Sequence, residues 1–274
     1  MWVPDVCCEN SLQDNGTPHP AARETVREVG WVTRYGRLQR MESARPCVAV
    51  LLAGGVGARA GLGMPKQFAD LHGRTILERS LAALHDHPAI EGVLVVMAPG
   101  FVDAAQVVTG SYPRTLAVIE GGAERSDSTV NALRWLDAQG HGDADVLVHD
   151  AARPLVDARI ISDCVAALGT HAAVGVAVRS SDTILRTDVS GRIVDVPPRS
   201  ELWRAQTPQG FRAGVLQAAY DVALADPAFV ATDDCSVVLR YLPEVAVHVV
   251  EGDDRNMKVT GPLDLAIAER LLGT

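Results

Sequence analysis

A chain of 274 residues, 47% of them apolar, is long enough to bury the core of one large α/β domain. Its net charge of −9 excludes a general nucleic-acid or anionic-membrane surface, so any positive charge aimed at phosphate must be local. No apolar run is long enough to span a bilayer, and the five cysteines (Cys7, Cys8, Cys47, Cys164, Cys235) lack metal-ligand spacing and fit reduced thiols in a cytoplasmic protein.

Residues 1–44 are polar, carry Pro4, Pro18 and Pro20, and show neither sustained periodicity nor the apolar centre of a secretory signal. That composition predicts a disordered or loosely attached extension; Met41, just before the first apolar run, leaves an upstream start assignment open as well. One domain is expected over 45–274. Short β-branched runs at 47–52, 92–97, 115–119, 145–148 and 173–178 alternate with helical patterns at 75–86, 102–108, 126–139 and 158–168. The alternation predicts an α/β fold with a mostly parallel central sheet, right-handed crossovers and helices on both faces. Ligands in such sheets bind beyond the carboxyl ends of the strands. Segment 179–204 breaks the rhythm: arms at 183–186 and 192–196 flank Asp188-Val189-Ser190-Gly191. This reads as a projecting β-hairpin whose unpaired edges suit a second subunit. Residues 202–211 read as a polar loop, followed by helices at 213–225 and 233–241, a strand at 245–250 and a last helix at 263–272.

The most informative stretch is AVLLAGGVGARAGLGMPKQF, residues 49–68. An apolar strand opens into Ala53-Gly54-Gly55-Val56-Gly57-Ala58-Arg59, and Lys66 follows seven residues after Arg59. The amides of such a turn form a concave anion site at the strand's carboxyl end, and Arg59 and Lys66 add full positive charges beside it. The expected occupant is a nucleoside triphosphate. A P-loop is excluded, because neither Gly57 nor Gly61 is followed by Lys-Ser or Lys-Thr. The dinucleotide fingerprint fails too, because Ala60 stands where its third glycine belongs.

A second feature is Val146-Leu147-Val148-His149-Asp150-Ala151-Ala152-Arg153-Pro154. A carboxylate at the end of a buried strand suits Mg²⁺ bridging nucleotide phosphates, since Mg²⁺ takes one or two protein carboxylates plus phosphate oxygens. The alternative is that Asp150 caps a turn and pairs with Arg153. His149 reads as a hydrogen-bonded structural residue. In Gly121-Gly122-Ala123-Glu124-Arg125-Ser126-Asp127-Ser128, a glycine turn leads into a helix, with Ser126 as its expected N-cap and Ser128 offering a hydroxyl to the ligand. Lys258, between Met257 and Val259 in the loop after the last strand, is placed to contact phosphate at the ligand edge.

Together these pieces resemble the 2-C-methyl-D-erythritol 4-phosphate cytidylyltransferase family of the non-mevalonate isoprenoid pathway, from about Cys47 to the C-terminus. The carriers of the resemblance are the glycine turn with Arg59 and Lys66, the His149–Pro154 motif, Thr207-Pro208-Gln209, Thr232-Asp233-Asp234 and Asn256-Met257-Lys258-Val259-Thr260. It implies a Rossmann-like nucleotidyltransferase that forms a homodimer through the β-arm and takes CTP and a polyol phosphate. Arg59 and Lys66 match the family's catalytic pair on the triphosphate, Lys258 a lysine near the reacting phosphate, and Asp150 the ligand of Mg²⁺ or another divalent cation. Ala53, Gly54, Gly55, Gly122, Ser128, Ala151 and Arg153 fall on nucleotide positions. Thr183, Arg199 and Thr207 fall on positions that hold the sugar phosphate. Ala123 departs from the family, which often has Asp there: a backbone contact would keep base recognition, whereas a carboxylate contact would be lost.

The implied reaction gives CDP-methylerythritol and pyrophosphate. Its nucleophile is a phosphate monoester with a second pKa of about 6, so no deprotonating residue is required. Arg59, Lys66, Lys258 and Mg²⁺ would offset the repulsion between two anions. Three rivals remain. The Gly54-Gly55 start, in place of Ala-Gly, also resembles ribitol-5-phosphate cytidylyltransferases, while Ala151-Ala152-Arg153 and Thr232-Asp233-Asp234 favour methylerythritol. A sugar-1-phosphate nucleotidyltransferase is disfavoured by the late motifs. A non-catalytic nucleotide-binding regulator would not need Arg59, Lys66, Asp150 and Lys258 together.

Overall fold

A computed structural model of the chain describes residues 45–55 and 65–273. The extension expected at 1–44 and Arg59 lie outside the described residues. The chain divides into Met1–Ser43 and Ala44–Thr274, and every element below belongs to the second unit.

Three strands, β1 (Cys47–Ala53), β4 (Gly92–Met97) and β6 (Asp145–Asp150), are buried at every position. That explains their unbroken apolar runs, since alternate side chains enter two different covered faces. On one face, Ala49, Leu51 and Ala53 cluster with Leu77, Leu81 and Leu84 of α1 (Ile76–His85) and with Ile160, Ile161 and Cys164 of α4 (Ala158–Leu168). α2 (Val102–Thr109) joins this layer through Ala105. On the other face, α3 (Arg125–Ala138) packs against β1, β4 and the edge strand β5 (Thr115–Glu120). A small hairpin, β2 (Asp70–Leu71) and β3 (Arg74–Thr75), precedes α1.

The central sheet has seven strands in the order β11-β7-β10-β6-β1-β4-β5, with β7 at Ala173–Arg179, β10 at Trp203–Arg212 and β11 at Val247–Glu251. All neighbours are parallel except β10, which runs antiparallel to both β6 and β7. The polar loop expected at 202–211 is therefore wrong: those residues form most of the ten-residue strand β10. Pro208 and the glutamines argue against a strand by composition, yet the pairing with β7 shifts register between Ala205 and Gln209, and this irregularity accommodates Pro208. The buried polar side chains Gln206, Thr207 and Gln209 find partners within the protein.

The arm is a separate two-stranded hairpin, β8 (Arg186–Thr187) with β9 (Ile193–Asp195), shorter than the expected arms. The Asp188 carboxylate accepts from the N–H groups of Ser190 and Arg192 at 2.9 and 3.1 Å, and Gly191 takes a φ of +83° that favours glycine. The C-terminal part adds α5 (Ala213–Ala223), α6 (Asp234–Tyr241) and α7 (Pro262–Leu272).

Phe211 pairs with Val146 on one side and Ala173 on the other and is fully buried. Phe211→Ala should therefore cost about 3–5 kcal/mol of stability. Equilibrium urea unfolding checks this; a loss under about 1 kcal/mol would mean that the site collapses or that β10 lies outside the core.

Candidate active site

The parallel register of β1 with β6 sets Leu52 opposite Asp150, so the two strands end side by side. Beyond β1, the backbone of Ala53-Gly54-Gly55 is held by Gln67, whose buried amide donates to the carbonyls of Ala53 (3.0 Å) and Gly55 (2.8 Å). Gln67 sits in a 3₁₀ turn, Lys66–Phe68, so the same staple places Lys66. The Lys66 ammonium donates to the carbonyl of Val259 at 2.8 Å, bringing it beside the loop that carries Lys258.

The second glycine turn faces the first. Ser128 Oγ lies 3.4 Å from where a Cβ on Gly54 would stand, and it accepts from the Gly122 N–H at 3.2 Å. Side chains are excluded here: a Cβ on Gly122 would fall 2.1 Å from that of Asp127. The expected N-cap Ser126 is corrected by one turn chemistry detail: α3 is capped at Glu124, whose N–H donates to the Asp127 carboxylate at 3.0 Å. Ala123 is exposed and offers a ligand only its methyl group and backbone.

Asp150 is the electrostatic centre. Its side chain is 12% exposed; Lys258 donates to Oδ2 at 2.7 Å and Arg125 Nε to Oδ1 at 3.4 Å. Burial alone would raise its pKa, but Arg125 and then Lys258 overrule burial and hold the carboxyl well below the usual range. The anticipated alternative, an Asp150–Arg153 ion pair, is not formed. Arg153 instead donates to the carbonyls of Asn256 (2.8 Å) and Ala205 (3.2 Å). With Asn256 Nδ2 on the Thr207 carbonyl at 2.8 Å and the Val259 N–H on the Ala152 carbonyl at 2.7 Å, this ties down the loop that delivers Lys258. Ala151 is fully buried, held through its carbonyl by Ser80 Oγ at 2.7 Å.

His149 is structural, as read. Its Nε2 faces the carbonyl of Arg153 at 3.1 Å and its Nδ1 the hydroxyl of Thr207 at 3.0 Å. A carbonyl only accepts, so Nε2 carries the proton and Nδ1 accepts from Thr207. Complete burial pushes the ring's pKa down to about 4, consistent with this neutral tautomer. Thr207 Oγ1 in turn accepts from the Asp150 N–H at 3.0 Å.

The structure thus gathers Ala53, Gly54, Gly55, Lys66, Gly122, Ser128, Asp150, Ala151, Arg153, Thr207 and Lys258 around the ends of β1 and β6. It does not bring Thr183 or Arg199 there within this chain: both are exposed on the arm segment, and Arg199 donates to the Ser181 carbonyl at 3.2 Å. Sequence reasoning assigned no role to Gln67, Arg125, Asn256 or Asp234; each lay inside a quoted motif, and that proximity was the sole signal. Among the described residues no three His, Cys, Asp or Glu side chains cluster as a metal cage. A lone strand-end carboxylate fits a cation that draws its other ligands from phosphate and water, as Mg²⁺ does.

A family model described as 2-C-methyl-D-erythritol 4-phosphate cytidylyltransferase matches residues 47–274. The chain belongs to that family. A cytidylyltransferase of this description from Thermobifida fusca (strain YX) is 52% identical over 237 residues, covering 84% of this chain and 95% of the relative. A bifunctional ribulose 5-phosphate reductase/CDP-ribitol pyrophosphorylase from Haemophilus influenzae is 39% identical, over 82% of this chain and 48% of that protein. The crystal structure of 4-diphosphocytidyl-2C-methyl-D-erythritol synthase from Anaerococcus prevotii superposes with a TM-score of 0.75 at 27% identity, covering 85% of this chain and all (100%) of that one. The Francisella tularensis cytidylyltransferase gives 0.70 at 29%, covering 82% and 99%. The function is that of the family: a nucleotidyltransferase that moves CMP from CTP to 2-C-methyl-D-erythritol 4-phosphate in isoprenoid precursor synthesis.

Thr207→Val keeps the shape of the side chain but leaves the Asp150 N–H and His149 Nδ1 without their partner. Each orphaned buried group costs about 1–3 kcal/mol, so the variant should unfold at lower urea while Thr207→Ser stays close to the parent. Equal stability of the valine and serine variants would remove Thr207 from this network.

Proposed function

We propose that the cluster at the ends of β1 and β6 carries the CMP transfer, with Arg59 and Lys66 on the triphosphate, Lys258 near the reacting phosphate and Asp150 holding Mg²⁺ or another divalent cation. The observation that carries this reading is the convergence of Lys66 on the carbonyl of Val259 while the adjacent Lys258 rests on Asp150. The two glycine turns, with Gly122, Ser128, Ala151 and Arg153, would frame the nucleoside. Thr207, given to the sugar phosphate by the resemblance, has its hydroxyl engaged by His149 and the Asp150 N–H and would act there through its position on β10. A phosphate oxygen of the polyol phosphate attacks the α-phosphorus of CTP, and the bond to pyrophosphate breaks. The incoming monoester is already largely dianionic near neutrality, so no side chain needs to take a proton. A divalent cation bound at Asp150 would offset charge on the triphosphate; the lysines orient the phosphates and stabilise the charge that grows at phosphorus.

The same reading makes 45–274 the catalytic domain and 1–44 dispensable to it. It places the enzyme in the cytoplasm, in keeping with three free, buried thiols, Cys47, Cys164 and Cys235; no helix among the described residues is long and apolar enough to cross a membrane. A pyrophosphate-release assay crossing CTP, ATP, GTP and UTP with methylerythritol and ribitol phosphates tests it, run on the full chain and on a chain starting at residue 45. Turnover should need CTP with methylerythritol phosphate and be equal in both chains. A preference for ribitol phosphate would favour the chemistry named for the Haemophilus relative. Lys66→Ala should lower kcat by about 10²–10³, the usual effect of losing one transition-state contact; near-normal turnover would take Lys66 out of the mechanism.

Thr183 and Arg199 enter the reading through a homodimer in which each arm reaches the partner's site. The arm's exposed apolar side chains support this: Ile184, Leu185, Ile193, Val194 and Val196 are 43–55% exposed. Arg199 suits a phosphate because a guanidinium can hold two oxygens in fixed geometry. Arg199→Ala should raise KM for the polyol phosphate far more than for CTP. Mixing Arg199→Ala with Lys66→Ala subunits should restore activity, since one site of the heterodimer then keeps both residues. Confirmed subunit exchange without rescue would put both residues in one chain's site.

A further inference from the structure

Asp150 faces a rival for any bound cation at the start of α3. Arg125 opens α3, and its Nη1 donates at 2.7 Å to Oδ2 of Asp234. Its Nε reaches Asp150 Oδ1 only at 3.4 Å, and Nη2 is buried without a partner. Nε and Nη2 form one edge of the guanidinium, the fork with which arginine grips a carboxylate through two parallel bonds. The fork facing Asp150 is thus half engaged and stands off from a full bidentate pair.

What holds it off is a fully buried carboxylate. Asp234 is 0% exposed; its Oδ1 accepts from the Tyr220 hydroxyl at 2.6 Å and its N–H donates to Gln209 Oε1 at 3.0 Å. Gln209 also accepts from the Cys235 N–H at 3.2 Å and donates to Asp233 at 2.7 Å, which fixes the start of α6 and with it the position of Asp234. A buried carboxylate deprived of its cation is strongly destabilised, whereas Asp150 keeps Lys258 as a second partner. Arg125 therefore stays with Asp234.

We propose that Asp234 is a positioning residue for Asp150: by anchoring Arg125, it keeps the guanidinium from closing on Asp150 and leaves that carboxylate open to the divalent cation that accompanies CTP. The proposal rests on the CTP and metal reading above. It explains why a charged pair, costly to bury, sits beside the site but outside the ring of residues that face the phosphates.

Calorimetric titration of CTP in Mn²⁺ and again in EDTA gives the factor by which the metal strengthens CTP binding. A merely structural defect lowers both affinities together, whereas the competitor lowers only that factor. In Asp234→Asn the factor should fall about tenfold, within the usual range of coupling between sites, while the affinity in EDTA holds. In Arg125→Gln/Asp234→Asn, which lacks both the competitor and its anchor, the factor should recover to within about twofold of the parent, the signature of coupled residues. An unchanged factor in a folded Asp234→Asn, or a double variant as impaired as the single, overturns the proposal. If Asp234→Asn fails to fold, the double variant decides, since it leaves no lone buried charge: a parental factor supports the proposal and a tenfold loss overturns it. CTP binding in the parent that ignores Mn²⁺ overturns the metal reading itself, and this proposal with it.

Discussion

A carboxylate at the end of a central parallel strand is the constraint around which this site is organised. Asp150 is held charged where burial opposes charge, so positive groups have to be delivered to it from elsewhere in the chain. Lys258 comes from the loop after β11, which explains why that loop is tied down by Arg153, Asn256 and Val259 rather than left to solvent. Arg125 comes from the start of α3, whose close approach to the sheet depends on two glycines at 121 and 122. The backbone of Asp150 is itself held by Thr207, and Thr207 by His149. Three separate segments converge on one side chain and its backbone.

The electrostatics are local by the same logic. A chain of net charge −9 repels phosphate at long range, yet Arg125, Arg153 and Lys258 act on a single acid, and Lys66 reaches the neighbouring loop at the Val259 carbonyl. Lys66 and Lys258 rest on one carbonyl and one carboxylate oxygen at the ends of flexible stems, partners that phosphate oxygens can replace. Arg125 and Arg153 are held by buried groups and act as fixed charges. On the function proposed above, the two lysines would transfer to the phosphates while the two arginines stay to preserve the shape of the site, as electrostatic preorganisation requires.

Much of this was legible in the sequence, for reasons that also mark where legibility stops. β1, β4 and β6 announce themselves because strands buried on both faces must be continuously apolar. Asp150 and Lys66 are legible because each lies in a contiguous motif at a strand end. β10 was missed because its polar side chains are satisfied by distant partners, such as Gln209 by Asp233 and the start of α6. The Arg125–Asp234 pair joins residues 109 positions apart, and nothing local in either motif declares the other. Thr183 and Arg199 were assigned through a resemblance, and one chain by itself leaves them on the arm.

The reversed strand β10 links that arm to the chemistry. The arm leaves the sheet after Arg179 and returns at Trp203, where these two residues are register partners and the guanidinium lies 4.4 Å from the indole ring. The Ser180 N–H donates to the Leu202 carbonyl at 2.9 Å, closing the base of the arm. Four residues further along the same strand is Thr207, whose hydroxyl sets both His149 and the Asp150 amide. A parallel strand at this place would have sent the chain's return to the opposite end of the sheet. Because β10 runs antiparallel, the arm's root at Trp203 and the Thr207 hydroxyl that holds the Asp150 N–H lie on one strand, on either side of the point where the pairing with β7 shifts register.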